Sequence, residues 1–232
     1  MTTQLSYKIV ISGKIAELFA IHKPKKRAFI PREKKYKRYF VNNSDIRLDN
    51  ILRTKSRFKR LVRSNPNLTK FITLTFAENQ TDLTYANKYF NKFIKRLTAL
   101  YPSFQYIAVP EFQKRGAVHY HLLCNISTFV ENKTLADVWG AGFVNIQNLR
   151  KIGIKRIDLY MIKYLTKGID NRLFGRRRFL CSRGIKKPII LTAVKQFVIL
   201  KMFNNLKLIY KKRFDFTWGL SLNYYQYSFE HL

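Results

Sequence analysis

The chain has 232 residues, 45 Lys and Arg against 13 Asp and Glu, and a formal net charge of +32. With 47% hydrophobic and 15% aromatic residues it is too apolar to be disordered, and two cysteines exclude a disulfide scaffold. A one-signed charge of this size repels itself in a compact fold and points to a polyanionic partner, nucleic acid above all.

The N-terminal part is the most basic. His22-Lys-Pro-Lys-Lys-Arg-Ala and Arg32-Glu-Lys-Lys-Tyr-Lys-Arg-Tyr interleave cations with aromatic rings, which suits phosphate contact and base stacking and equally suits a solvated arm. Residues 50–63 set Ile51, Leu52, Phe58, Leu61 and Val62 along one side of a basic amphipathic helix, broken by Ser64-Asn-Pro-Asn. Phe71–Phe76 alternates and is rich in β-branched and aromatic residues, so it reads as a strand. Thr81-Asp82 caps a helix over 83–100, whose apolar residues recur at three and four until Pro102. Strands follow at 104–109 and 118–124 around a charged turn, then a short helix near 134–139 and a strand at 143–147. A helix at 156–168, a strand at 177–182, a helix at 190–210 and an aromatic, strand-like tail at 214–229 complete the chain.

The order β-α-β-β-α-β predicts an α+β fold, an RRM-like split-βαβ antiparallel sheet with helices on one face. The expected organisation is a basic extension over 1–66, a core over 67–188, and a C-terminal helix with an aromatic tail over 189–232, packing on the core. No stretch offers the roughly 20 apolar residues that span a bilayer. The N-terminus has no basic segment ahead of its apolar part, so a soluble protein of the cytoplasm, without membrane contact, is expected.

Chemistry concentrates in two places. His119 and His121 stand two apart in a strand, so both imidazoles leave the same face and can chelate one divalent ion. Glu111 ends the preceding strand, where antiparallel pairing sets it beside them; two imidazoles and a carboxylate leave positions open for phosphate oxygens. Read singly, the pair is a common strand pattern and Glu111 a surface charge at a turn. The second place is Tyr160-Met-Ile-Lys-Tyr-Leu-Thr-Lys167. On a helix Tyr160, Lys163, Tyr164 and Lys167 share one face, opposite a core side made of Leu159, Ile162 and Leu165 with Met161 at its edge. A phenolate there can attack phosphorus and the lysines can offset phosphate charge; packing is the other use of such tyrosines.

A Glu-led His-hydrophobic-His strand followed about forty residues later by Tyr-x-x-Lys-Tyr-x-x-Lys resembles the HUH endonuclease superfamily, more narrowly the two-tyrosine rolling-circle replication initiators of small phages and bacterial plasmids. The resemblance covers about residues 68–188. It includes the Thr-bearing strand Phe71–Phe76 and the basic Arg176–Pro188 segment around Ser182-Arg183-Gly184. It implies an origin-specific nickase acting on single-stranded DNA. Glu111, His119 and His121 would hold Mg²⁺ or Mn²⁺. Tyr160, as the family's first position, and Tyr164 would attack in turn, beside Lys163, Lys167 and Arg183. The product would be a 5′-phosphotyrosine and a free 3′-hydroxyl primer, with later rejoining of the displaced strand. No ATPase motif is present, so a host helicase and polymerase are expected partners in the bacterial cytoplasm. A transposase or relaxase of the same superfamily, and a noncatalytic RNA- or DNA-binding RRM-like module, are the alternatives.

Overall fold

The computed structural model describes residues 3–24, 43–167, 171–173, 176–216 and 220–229. The basic runs of 25–42, and His231, lie outside them. The chain forms two compact units, one of residues 51–186 and one of residues 1–50 with 187–232.

In the central unit the strands are β3 (Lys70–Phe76), β4 (Tyr106–Phe112), β5 (Val118–Cys124), β6 (Gly142–Asn148) and β7 (Leu180–Cys181), in the order β6-β3-β5-β4-β7. Every pair is antiparallel. Its helices are α1 (Asn43–Ser64, from Ile51 onward), α2 (Leu83–Leu100), α3 (Asn132–Trp139) and α4 (Ile157–Lys167), with a 3₁₀ turn at Asn171–Leu173. The first four strands thus take the split-βαβ arrangement, with β7 added outside β4.

Alternation divides the sheet into two faces. One carries Ile72, Leu74, Ala108, Tyr120 and Leu122 and is covered by Ala86, Phe90, Phe93 and Leu97 of α2 and by Leu135 and Trp139 of α3. The Asp82 side chain caps α2, accepting from the Thr84 amide at 2.7 Å. Tyr120 is fully buried on this face, stacks on Phe90 at 4.4 Å and donates to Asn87 Oδ1 at 2.8 Å, which satisfies its hydroxyl.

The other face is also covered in part, beyond the one-sided packing expected. Phe71, Ile107, Val109 and Leu123 meet Phe58, Leu61 and Val62 of α1 and Met161 and Leu165 of α4. Burial of each such side chain contributes about 1.5–3 kcal/mol. All seven residues of β5 are buried as a result, so the strand has no solvent face and its two histidines sit inside the protein. On α4 the core side is rotated from the expected one. Asp158, Met161 and Leu165 are buried, whereas Leu159 is 48% exposed. Tyr160 and Tyr164 pack on Phe71, and that contact turns the helix.

In the second unit the two ends of the chain share one sheet. β1 (Thr3–Ser12) and β2 (Ile15–Pro24) form a hairpin through Gly13, at φ +56°. With β8 (Ile189–Thr192), β9 (Lys207–Asp215) and β10 (Ser221–Ser228) they take the order β8-β1-β2-β10-β9. The helix expected over 190–210 is only α5 (Gln196–Phe203), because its flanks are drawn into strands paired with β1 and β10. Ile199 and Phe203 of α5 pack on Ile9 and Leu18. Among the described residues no helix is long and apolar enough to cross a membrane.

Candidate active site

The polar residues of the second face lie together at the β4–β5 end of the central sheet. Gln113–Ala117 turns the chain, with the Gln113 amide donating to the Ala117 carbonyl at 2.9 Å and Gly116 at φ +90°. Arg172 stacks on Phe112, 3.9 Å from ring centre to guanidinium carbon, and reaches the Gly116 carbonyl. The resulting register sets Glu111 opposite His119 and Val109 opposite His121. On the other side of β5, Thr75 faces His119 and Thr73 faces His121.

Both histidines are buried, at 7% and 6% exposure. His121 Nδ1 is 3.3 Å from Thr73 Oγ1, and its Nε2 is 2.7 Å from Glu111 Oε2. His119 Nδ1 lies 3.5 Å from Thr75 Oγ1, while its Nε2 is buried and has no hydrogen-bond partner. Burial, helped by the charges of His121 and Arg115 against that of Glu111, lowers the His119 pKa to about 4. This imidazole is therefore neutral at physiological pH, the state in which it can ligate a metal.

Two imidazoles, a carboxylate and one orphaned inward nitrogen fit the chemistry of a divalent ion. Threonine oxygens behind both Nδ1 atoms would orient the rings with Nε2 outward. As they stand, the side chains close on one another through the Glu111–His121 hydrogen bond. Among the described residues no group of three or more His, Cys, Asp or Glu converges to hold a metal.

α4 brings its tyrosines onto this cluster. The Tyr164 ring lies 4.1 Å from the His121 ring, centroid to centroid, and 5.3 Å from Phe71. Tyr160 sits one turn back, edge-on to Phe71 at 5.3 Å, and its oxygen accepts a hydrogen bond from the Tyr164 hydroxyl at 3.1 Å. Burial pushes the Tyr164 phenol above its ordinary value; the bond to Tyr160 and the carboxylate of Glu111 push it further. Lys163 is exposed and holds Nζ 3.8 Å from the centre of the Tyr160 ring and 4.9 Å from that of Tyr164. Lys167 ends α4, and its side chain lies outside the described residues.

Glu111, His119, His121, Tyr160, Lys163 and Tyr164 are therefore neighbours, and Arg183 is not one of them. The Ser182 amide donates to the Tyr106 carbonyl at 3.1 Å, at the far end of β4 from Glu111. Five residues of strand separate those ends by about 17 Å. Arg183 lines a different cavity, of about 750 Å³, with Lys95 and Gln105.

Four supporting residues escaped the sequence reading: Thr73, Thr75, Arg63 and Asp158. The two threonines were legible as alternate positions of one strand. Asp158 was visible only as one of few acids. Its buried carboxylate accepts from Arg63 Nε at 2.7 Å and Arg156 Nε at 3.1 Å, tying the start of α4 to the end of α1.

Residues 69–169, which hold every one of these site residues except Arg63, match a family model described as replication-associated protein, of the ORF2 type. No curated protein and no solved structure matches the chain. The central segment is similar to that family, and the match supports a role in replication initiation.

Proposed function

We propose that the chain nicks one strand of origin DNA by tyrosine attack, with Glu111, His119 and His121 holding a divalent ion, Mg²⁺ or Mn²⁺. The observation that carries this reading is the stack of Tyr164 on His121, with Tyr160 hydrogen-bonded behind it. When bound, the ion supplies Lewis acidity at the scissile phosphate. The Tyr164 oxygen forms a bond to phosphorus as the bond to the 3′-oxygen breaks. The phenol gives up its proton and the departing 3′-oxygen takes one up. The 5′-phosphate stays on the tyrosine, and the free 3′-hydroxyl primes synthesis.

Lys163, already over both rings, offsets charge on the phenolate and the phosphate, and Lys167 serves the same end one turn on. Tyr160 attacks in the later round that releases and rejoins the displaced strand. Tyr164, not Tyr160, goes first, because it is the ring in contact with the histidine. A host helicase and polymerase in the bacterial cytoplasm complete the cycle.

The test is a covalent adduct. The protein is incubated with Mn²⁺ and the single-stranded origin of its own replicon, then run on a denaturing gel. The expected product is a labelled protein–DNA band that the double variant Tyr160→Phe/Tyr164→Phe and the variant His119→Ala fail to form. An adduct of equal yield in the double variant would sink the tyrosine mechanism.

A further inference from the structure

The second sheet carries chemistry that the nicking site does not use. One of its faces is covered by α5, through Ile199 and Phe203. On the opposite face the register aligns Lys8 with Phe19, Phe19 with Tyr224, and Tyr224 with Lys212. Leu222 faces Phe214 in the next such row, and Gln226 faces Tyr210 in the row on the other side.

The rings on this face are close together. Phe19 and Tyr224 are 5.1 Å apart, and Tyr210 and Tyr224 6.0 Å. Cations stand over the rings: Lys8 Nζ lies 5.9 Å from the Phe19 centroid and Lys212 Nζ 5.0 Å from that of Phe214. The Tyr224 hydroxyl is anchored on Glu17 Oε1 at 2.6 Å, so that ring has a fixed direction. The face is buried at Val10 and Glu17 and opens towards β9, where Tyr210 is 47% and Phe214 36% exposed.

β9 is also an edge strand, and all nine of its residues are exposed. Its charges are one-sided: Lys207, Lys211, Lys212 and Arg213 against Asp215. Edge lysines discourage pairing with another strand, which argues against a second copy of the chain as the occupant. Rings to receive bases, with cations interleaved to receive phosphates, are what a single strand requires, because its bases have free π-faces and a duplex's do not.

We propose that this face, from Phe19 and Tyr224 to Tyr210, Lys212 and Phe214, is a base-stacking platform for single-stranded DNA, separate from the nicking site. Only the choice of DNA rests on the proposed nicking role; the platform does not. It gives the +32 chain a place to hold a displaced strand by its bases as well as by its phosphates.

The test uses the full chain carrying Tyr160→Phe and Tyr164→Phe, in a metal chelator, so that strand cleavage plays no part. Thiothymidine-containing oligothymidine is crosslinked by light and the attached peptides are sequenced. Crosslinks are expected at Tyr210, Phe214 or Tyr224; crosslinks confined to residues 51–186 would overturn the proposal. In the same background Tyr210→Ala/Phe214→Ala is expected to weaken oligothymidine binding about five-fold or more at about 0.3 M salt, where phosphate attraction is suppressed. Tyr210→Phe keeps the ring and is expected to bind as before, which separates stacking from misfolding.

Unchanged affinity in the alanine variant, equal displacement by duplex competitor, or an effect on self-association alone would each refute the platform. None of these readouts depends on a covalent adduct, so the platform and the nickase can fail independently.

Discussion

The phenol of Tyr164 lies 4.1 Å from the imidazole of His121, ring centre to ring centre, and donates its hydrogen bond to Tyr160, one turn back on the same helix. The two tyrosines are thus unequal, although their spacing in the sequence treats them alike. Tyr164→Phe is expected to reduce first-strand cleavage by about three orders of magnitude or more, the scale on which loss of a nucleophile is felt. Tyr160→Phe should retain the first cleavage and lose circle closure. Gel quantification of the nicked strand and of the closed circle, for each variant, checks both. The reverse pattern would make Tyr160 the first nucleophile.

The same hydrogen bond has a pH consequence. Burial, then the bond to Tyr160, raises the Tyr164 phenol, so the nucleophile holds its proton more firmly than an ordinary tyrosine does. Removing the Tyr160 oxygen takes away the second of these causes. The alkaline-rising limb of the cleavage rate in Tyr160→Phe is therefore expected at lower pH than in the unaltered chain. Single-turnover rates across a pH series measure it, and a limb that stays in place would show that Tyr160 does not tune Tyr164.

Thr73 stands behind His121 at 3.3 Å and is the stronger of the two threonine supports, since Thr75 is 3.5 Å from His119. Thr73→Val keeps the shape of the β-branched side chain and removes the oxygen. It is expected to weaken Mn²⁺ binding about ten-fold or more, as loss of a group orienting a ligand histidine does. Calorimetric titration of Mn²⁺ into the two proteins provides the comparison. Removing the metal with a chelator should abolish adduct formation in both, and Mn²⁺ should restore it.

Much of the central unit was legible because its local signals agree with its packing. FITLTF alternates, Asp82 caps α2, and a five-residue turn between β4 and β5 leaves little freedom in register, so Glu111 arrives opposite His119. Tyr160, Lys163 and Tyr164 were legible from helical spacing alone. The rotation of α4 was not, because it depends on Phe71, distant in sequence, filling the space between the tyrosines and the sheet.

The terminal sheet was least legible, for a physical reason. β10 pairs with β2 across about two hundred residues, and no local pattern announces a partner at that distance. Lys207–Asp215 is rich in lysine and suits a helix as well as a strand when read alone. Its strand state comes from the ladder to β10.

Asp158 offers a test of what holds the nucleophile helix in place. Its carboxylate is 5% exposed, beside an Arg63 side chain that is 8% exposed, and α4 begins within a residue of it. Burial alone would raise its pKa. The hydrogen bond from Arg156 and the charges of Arg63 and Arg156 outweigh burial and lower it. A carboxylate with a lowered folded pKa stabilises the fold above its unfolded value, about 3.9, and that stability is lost as pH falls through the folded value. The thermal midpoint of the unaltered chain should therefore drop more steeply than that of Asp158→Asn between about pH 4 and pH 2. At neutral pH, Asp158→Ala leaves Arg63 buried without its partner and is expected to cost about 3–5 kcal/mol, read from urea unfolding. If Asp158→Ala unfolds at the same urea concentration as the unaltered chain, the ion pair is not what anchors α4, and the contact of its tyrosines with Phe71 must hold the helix instead.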